Sequence, residues 1–335
     1  MKKLLAFWFV VASFVSSVAV AMPTVNVLSW FGYLRSPQIN KLVQDHCQVT
    51  LSVDEYYSND EFLRRWKSDK NNYDLIVFAN LLYKTIEDEI SLTHSDLSKF
   101  SQDYHPVIKQ HYRDGHYANN VVYFSHSIMG FLWNPSLMHL SEQDDMHSVF
   151  TKAKNNRVVL IDDPTEVRNM IRLGDNKQVQ LNLKNLKAML QSAQVTLAND
   201  YNKIYESPNF AFSYTWSGDA VLDIQKSGKP YQFLIHPKTS FICTDLLAQT
   251  KDNAEASCVA KVLSSKAAMN ILQNANYYFS PYGDYSDIGS LMFKKIYQDV
   301  FNQISQFSWI QSVTEPELKK LEQAWKVLKL EISAK

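Results

Sequence analysis

Several features that mark common classes of protein are scarce or absent in this 335-residue sequence. Glycine occurs only 8 times, and the phosphate-binding motifs GxxxxGK[ST] and GxGxxG are absent, as are the GxSxG and HExxH motifs of hydrolases. The nine histidines are scattered along the chain and are not paired at the spacing of metal ligands. No motif therefore supports a catalytic hypothesis, and we expect no enzymatic activity, no cofactor and no bound metal ion.

An excess of either charge is absent as well. Lys and Arg together number 34, and Asp and Glu also number 34, so bulk electrostatics do not indicate a nucleic-acid partner. The chain has 46% hydrophobic residues and many aromatics, with 18 Tyr, 18 Phe and 7 Trp. This composition is typical of a packed globular protein, and the length predicts two lobes at ~150 residues per domain.

The first 21 residues have the pattern of a secretory signal peptide. Lys2 and Lys3 precede an apolar stretch over residues 4–20, and Ala19-Val20-Ala21 has the form of a cleavage site. An uncleaved membrane anchor is the alternative, although serines interrupt the apolar stretch. Because no later stretch approaches ~20 apolar residues, we expect a soluble secreted protein, cleaved after Ala21, with 32 basic and 34 acidic side chains.

Only three cysteines are present, namely Cys47, Cys243 and Cys258. An oxidising compartment would allow one disulfide and leave one thiol over. Cys243 and Cys258 are the nearer pair in sequence and the more plausible bridge, while buried free thiols are the alternative. Their spacing matches no metal-binding motif.

Strands and helices alternate after the cleavage site. We predict strands at Val25–Leu28, Val49–Val53 and Tyr73–Phe78, with helices beginning near Ser36 and Ser58 between them. This βαβαβ order predicts a parallel sheet covered by helices.

The same alternation starts again with a strand at Arg157–Ile161. A helix near 182–192, strands at 195–198 and 210–214 and a helix from Ser217 follow, before a last helix near 315–332. We therefore predict an α/β fold of two lobes, each a mainly parallel sheet flanked by helices. Chain crossings between the lobes are expected to act as a hinge.

An acidic cluster, Asp162-Asp163-x-x-Glu166, directly follows the strand at 157–161. Open α/β sheets place ligand crevices at the carboxyl ends of their strands. Three interpretations fit the cluster. In the first, Asp163 caps a helix whose first turn holds Glu166. In the second the carboxylates bind a cation, and in the third they act as general acid and base.

Aromatic and acidic side chains recur at the ends of other predicted strands. Trp30 and Tyr33 follow the first strand, Trp216 and Asp219 follow the strand at 210–214, and Asp245 follows the apolar pair Phe241-Ile242. Aromatic faces contact alkyl chains and cations, and carboxylates bind ammonium groups. Together these residues predict a site for an organic cation, although each taken singly also fits a core aromatic or a solvated acid.

Short segments in this order carry a resemblance to a known family. From residue 24 to 330 the chain resembles the periplasmic spermidine/putrescine-binding proteins, which are soluble receptors of polyamine ABC importers. The matching segments are Ser29-Trp30-Phe31-Gly32-Tyr33, Ser58-Asn59-Asp60, Tyr73-Asp74-Leu75-Ile76-Val77, Leu160-Ile161-Asp162-Asp163-Pro164-Thr165-Glu166-Val167, Trp216-Ser217-Gly218-Asp219 and Asp245-Leu246-Leu247-Ala248.

The resemblance implies which residues bind the ligand. It gives Gln311 as a further contact near the C-terminus and two groups around the ligand, an aromatic box and a set of ammonium partners. The box comprises Trp30, Tyr33, Trp216 and Tyr278, and the ammonium partners are Asp163, Glu166, Asp219 and Asp245.

The resemblance also implies the organisation of the protein. It predicts one lobe of residues 22–125 plus 244–287 and another of 126–243 plus 288–335. It further implies a periplasmic monomer that hands its ligand to an inner-membrane permease. The chain departs from the family pattern at Ala79, Leu81 and Cys243, where the family has other ligand contacts, so these positions bear on which polyamine is preferred.

Two alternatives to a polyamine receptor remain open from the sequence. Tyr277 and Tyr278 are adjacent and offer hard oxygen donors, which suit a receptor for ferric ion. Asp163 and Glu166 could instead serve a secreted, carboxylate-dependent hydrolase.

Overall fold

The computed structural model describes residues 22–90, 95–166, 179–198 and 207–333. The predicted signal peptide, residues 1–21, lies outside these residues. None of the helices in the described ranges is both long and apolar enough to cross a membrane.

Strands and helices alternate over most of the described chain. The strands are β1 (Thr24–Trp30), β2 (Thr50–Tyr56), β3 (Leu75–Ala79), β4 (Val121–Trp133), β5 (Arg157–Leu160), β6 (Gln194–Leu197), β7 (Phe210–Trp216), β8 (Gln232–Leu234), β9 (Phe241–Gln249) and β10 (Ser308–Trp309). The helices are α1 (Pro37–Cys47), α2 (Asn59–Asp69), α3 (Tyr83–Ile90), α4 (Pro106–Asp114), α5 (Met146–Lys152), α6 (Val179–Ser192), α7 (Ser217–Ser227), α8 (Ala254–Leu263), α9 (Lys266–Asn276), α10 (Leu291–Asn302) and α11 (Glu315–Ser333).

The strands form a curled sheet with two outer parts that are parallel. Along the sheet the order is β2-β1-β3-β9-β4-β7-β5-β6, with β10 beside β9 and β8 beside β4. In the first half, β1 pairs in parallel with β2 and β3. In the second half, β5 pairs in parallel with β6 and β7. The predicted α/β fold, with parallel sheets flanked by helices, is confirmed.

Two long buried strands join the halves at the centre. β4 pairs antiparallel with β9 through Ile128 and then with β7 from Met129 onward. All thirteen residues of β4 are buried, as are the nine of β9. Strands buried on both faces lack an alternating pattern, and the crossings expected near 125 and 243 came from the family resemblance. Both positions lie within β4 and β9, while the lobe boundaries themselves stay a prediction.

The helices that lead into the central cleft begin with local signals that the sequence contains. In α1, Pro37 occupies the first turn and Ile39 and Val43 face the core. In α2, the Ser58 hydroxyl accepts a hydrogen bond from the backbone N–H of Glu61 at 3.2 Å, which fixes the start of the helix.

The predicted disulfide between Cys243 and Cys258 is wrong. Cys47, at the end of α1, is bonded to Cys258 in α8, although 211 residues separate them. The two helices pack side by side on the first half of the sheet, which brings their cysteines to a Cα distance of 5.7 Å. Cys243 lies in β9 as a buried free thiol, because its strand directs it into the central cleft and away from α8.

Candidate ligand-binding site

A cavity of about 160 Å³ lies between the two halves of the sheet. Residues of β1, β2 and β3 line it from the first half, and residues that follow β5 and β7 line it from the second. Eight of the nine predicted site residues line this cavity: Trp30, Tyr33, Asp163, Glu166, Trp216, Asp219, Asp245 and Tyr278.

The ninth predicted residue, Gln311, does not line the cavity. It follows the short strand β10 and is exposed.

Strand ends explain why residues so distant in sequence meet here. Trp30, Tyr56, Ala79 and Trp216 are the last residues of β1, β2, β3 and β7. Parallel strands end at the same edge of a sheet, and this edge is where open α/β folds hold ligands. In β9 the side chains alternate between faces, so Cys243 and Asp245 face the cavity while Thr244 faces away from it.

Asp245 is held by three hydrogen bonds from side chains around it. Its carboxylate accepts hydrogen bonds from Trp30 Nε1 at 3.0 Å, from the Tyr33 hydroxyl at 2.8 Å and from Ser125 Oγ at 3.0 Å. Burial raises the pKa of Asp245 to about 6, and these three donors act in the opposite direction. The carboxylate is therefore fixed in place and lacks a positive partner.

Glu166 and Asp219 lie on the opposite wall. Burial raises the pKa of Glu166 well above its usual range, the carboxylates of Asp163 and Asp219 raise it further, and a hydrogen bond from Trp216 opposes the rise. One oxygen of Glu166, Oε2, is buried without a hydrogen-bond partner. Burial also raises the pKa of Asp219 to about 6. These carboxylates would gain most from a positively charged group placed between them.

Asp163 is fixed by hydrogen bonds on both of its oxygens. Oδ1 accepts the backbone N–H of Thr165 at 2.8 Å and also the Thr165 hydroxyl, which is the helix-capping role that the sequence predicted. Oδ2 accepts a hydrogen bond of 2.8 Å from Asn59 Nδ2. Asn59 belongs to α2, so this last bond joins the two halves of the molecule across the cleft.

Aromatic rings complete the walls. Trp30 lies against Tyr56 with ring centroids 4.5 Å apart, and Tyr33 lies against Tyr278 at 5.1 Å. Trp216 meets Phe241 edge to face at 5.8 Å. These contacts place ring faces and edges around the four carboxylates.

The second of the adjacent tyrosines points elsewhere. The Tyr277 hydroxyl donates a hydrogen bond of 3.2 Å to Gln225 Oε1, and Tyr277 is not among the residues that line the cavity. The structure thus brings only Tyr278 of this pair to the site, which removes the basis of the ferric-ion alternative.

Ten further residues line the cavity beside the eight predicted ones. Three of them, Ala79, Leu81 and Cys243, are the positions where the chain departs from the family pattern. Asn59 carried a detectable signal, because it follows the helix cap Ser58 in a segment that the family shares. The remaining lining residues are Phe31, Tyr56, Tyr57, Ser58, Ser127 and Ile161.

The charge of the lining is one-sided. Among the described residues that line the cavity there are four carboxylates and no Lys, Arg or His. Buried carboxylates without a counter-charge are costly, so this arrangement favours a cationic ligand.

Comparison with solved structures identifies the fold. No family model and no curated protein sequence matches the chain. A spermidine/putrescine ABC transporter substrate-binding protein from Streptococcus pneumoniae is 14% identical, and the match covers 92% of this chain and 99% of that protein with a TM-score of 0.75. A putative spermidine/putrescine ABC transporter from Listeria monocytogenes is 15% identical over 91% of this chain and 98% of its own, with a TM-score of 0.71.

The fold is that of ABC transporter substrate-binding proteins. A third structure with this fold, the PBP MotA from A. tumefaciens in complex with glucopine, is 14% identical over 92% of this chain and 99% of its own, with a TM-score of 0.68. Substrate-binding proteins with similar backbones thus bind chemically different ligands, so the ligand of this chain has to be argued from its own cavity.

Proposed function

We propose that the protein is a periplasmic receptor that binds a short polyamine between its two halves and delivers it to an ABC importer of the inner membrane. The observation that carries this proposal is the cavity lining itself, which combines four carboxylates and several aromatic rings with no basic side chain among the described residues. The receptor performs no reaction and acts as a monomer.

The energetics of the cavity support a ligand with ammonium groups. Burial raises the pKa of Glu166, Asp219 and Asp245, because removal from water disfavours their charged forms. A hydrogen bond between an ammonium group and a carboxylate contributes about 1.5–3 kcal/mol. A cation over an aromatic face adds about 0.5–2 kcal/mol. Methylene groups between two ammonium heads would pack against the rings of Trp30 and Trp216.

The volume of the cavity favours a short ligand. At about 160 Å³ it is similar to an engineered cavity of roughly 150 Å³ that holds one benzene molecule. Putrescine has as many non-hydrogen atoms as benzene, whereas spermidine is longer. We therefore propose putrescine, or another diamine of this length, as the preferred ligand.

Secretion is supported by two independent features. Residues 1–21 have the composition of a signal peptide. The disulfide between Cys47 and Cys258 is typical of proteins that fold in an oxidising compartment.

Thermal unfolding with candidate ligands tests the proposal. At a concentration of 100 Kd, a ligand that binds only the folded protein stabilises it by about 2.7 kcal/mol. We expect such protection from putrescine, weaker protection from spermidine and none from sugars or ferric citrate. Protection by ferric citrate or a sugar in place of the amines would overturn the proposal, as would the absence of any response to amines.

A further inference from the structure

Asn59 is a buried side chain at the cavity that the proposed function does not yet use. It is the first residue of α2, held in place because Ser58 caps the helix, and only 4% of its surface is exposed. Its Nδ2 donates the 2.8 Å hydrogen bond to Asp163 Oδ2 across the cleft. Thr165 holds the other oxygen of Asp163, so the carboxylate that accepts this bond is fixed in its orientation.

This hydrogen bond fixes the orientation of the Asn59 amide and shows which of its two polar atoms has no partner. A carboxylate oxygen accepts hydrogen bonds, so the atom that faces Asp163 is the amide nitrogen. The amide oxygen, Oδ1, is buried and has no hydrogen-bond partner. An unpaired buried acceptor destabilises a protein, and Glu166 Oε2 in the same cavity is in the same situation. A ligand that supplies N–H groups to this cavity would satisfy both acceptors.

Asn59 also separates the ligand cavity from a second one. This second cavity has a volume of about 310 Å³ and lies between α2, the Asp162–Thr165 segment and the helix α11. The two cavities share Ser58, Asn59 and Asp163 in their linings. The hydrogen-bonded pair of Asn59 and Asp163 is therefore part of the wall between them.

We propose that Asn59 determines ligand length. Its Oδ1 accepts an N–H from a terminal ammonium group of the bound amine, and its side chain, held by Asp163, closes the cavity at that end. Amines longer than the cavity are excluded because the wall separates them from the space beyond. This inference rests on the proposed amine-binding function and adds to it a residue that sets specificity.

A series of amines of increasing length tests the inference. Calorimetric titration of the full mature protein with 1,3-diaminopropane, putrescine, 1,5-diaminopentane and spermidine gives the affinity for each. For Asn59→Ala we expect putrescine to bind at least tenfold more weakly, because the acceptor is lost. Spermidine should keep its affinity or gain, since its additional segment can enter the second cavity. The ratio of putrescine to spermidine affinity should then fall at least tenfold.

Asn80→Ala is a matched control. Asn80 is also a buried asparagine, 2% exposed, whose Nδ2 donates to the Ile310 carbonyl at 3.1 Å, but it does not line either cavity. Its substitution should leave the affinity ratio within twofold of the wild type. If Asn59→Ala does not fold, the ratio of putrescine to spermidine affinity can be measured on the more conservative variant Asn59→Ser, for which we expect the same fall.

The outcomes separate the two proposals. If the wild-type protein binds none of the amines, the proposed function and this inference both fail. If it binds putrescine and the Asn59 variants weaken all amines by the same factor, or weaken none, the function stands and the role of Asn59 in specificity is overturned.

Discussion

Two clusters of polar and aromatic side chains lie on opposite faces of the central strands β4 and β9, and they differ in how their polar groups are paired. One lines the ligand cavity. The other, which we call the tyrosine cluster, packs behind it and consists of Tyr104, His111, Tyr112, Tyr117, Tyr123 and His126. Neighbouring residues of β9 serve the two sides, since Asp245 faces the cavity and Thr244 bonds to His126 at 2.8 Å.

Most polar atoms of the tyrosine cluster have hydrogen-bond partners within the protein. The hydroxyl of Tyr112 donates to the Val121 carbonyl at 2.6 Å, and His111 Nδ1 bonds to the Tyr123 hydroxyl at 2.7 Å. In the cavity, Asn59 Oδ1 and Glu166 Oε2 are buried without a hydrogen-bond partner, and the described lining has four carboxylates but no basic side chain. These uncompensated carboxylates distinguish the site from the core, whereas aromatic content alone does not.

The largest effect should come from removing one cavity carboxylate. We expect Asp219→Asn to weaken putrescine binding about 10- to 100-fold, which corresponds to the loss of one charge-assisted hydrogen bond. The melting temperature of the ligand-free protein should not fall, because burial disfavours the charged form of Asp219. Calorimetric titration and thermal melts measure the two quantities.

Asp299→Asn is the matched control for this change, since Asp299 is exposed on α10 and should have no effect on affinity. Unchanged binding by Asp219→Asn would remove this carboxylate from the site.

The two clusters should respond to pH with opposite signs. Burial raises the pKa of Asp245 to about 6 and lowers the pKa of His126 to about 3. Between pH 7 and 5 the folded state takes up a proton at Asp245 that the unfolded state does not. Asp245 therefore raises the free energy of unfolding of the ligand-free protein by about 1 kcal/mol as the pH falls from 7 to 5. At His126 the unfolded state takes up the proton, so stability falls by about 2 kcal/mol.

Denaturant unfolding at the two pH values, with Asp245→Asn and His126→Gln compared with the wild type, separates these contributions. Each variant should lose its own part of the pH dependence. Putrescine affinity of the wild type should fall from pH 7 to 5, because the ammonium requires an ionised partner. A pH response of stability that is the same in all three proteins would contradict the assignment.

The smallest effects come from one substitution made on each face. Tyr33→Phe removes a hydrogen-bond donor that lowers the pKa of Asp245. Without it the carboxylate is less readily ionised, so putrescine binding should weaken about fivefold at neutral pH. Tyr123→Phe should leave affinity within twofold and lower the free energy of unfolding by about 1 kcal/mol, through the lost bond to His111. Equal effects of both variants on affinity would mean that the two faces are not functionally distinct.

The sequence located the strand ends well, because the aromatic and acidic site residues stand where the apolar runs end. Trp30 and Trp216 each end an apolar strand, and the carboxyl ends of parallel strands meet at one edge. Asp163 follows a strand and begins a helix, so its position in the cleft was predictable, whereas its hydrogen bond to Asn59 was not. That partner comes from a different half of the molecule, and no local pattern encodes contacts across a cleft.

Three features of the structure that the sequence did not reveal have the same physical origin. The bond between Cys47 and Cys258 depends on how α1 packs against α8, which sequence distance does not reveal. Gln311 follows a strand of only two residues, β10, whose position is set by its pairing with β9. β4 was not predicted as a strand, and only the apolar pair Phe241-Ile242 of β9 was, because continuous burial on both faces removes the periodicity that marks a strand.

The disulfide has a mechanical consequence. Cys47 and Cys258 both lie on helices that cover the first half of the sheet, so the bond does not tie one half to the other. It closes a covalent loop that starts and ends in the first half and contains β5, β6 and β7. A rotation of the second half relative to the first would therefore leave the Cys47–Cys258 bond unstrained, because both sulfur atoms would move together with the first half.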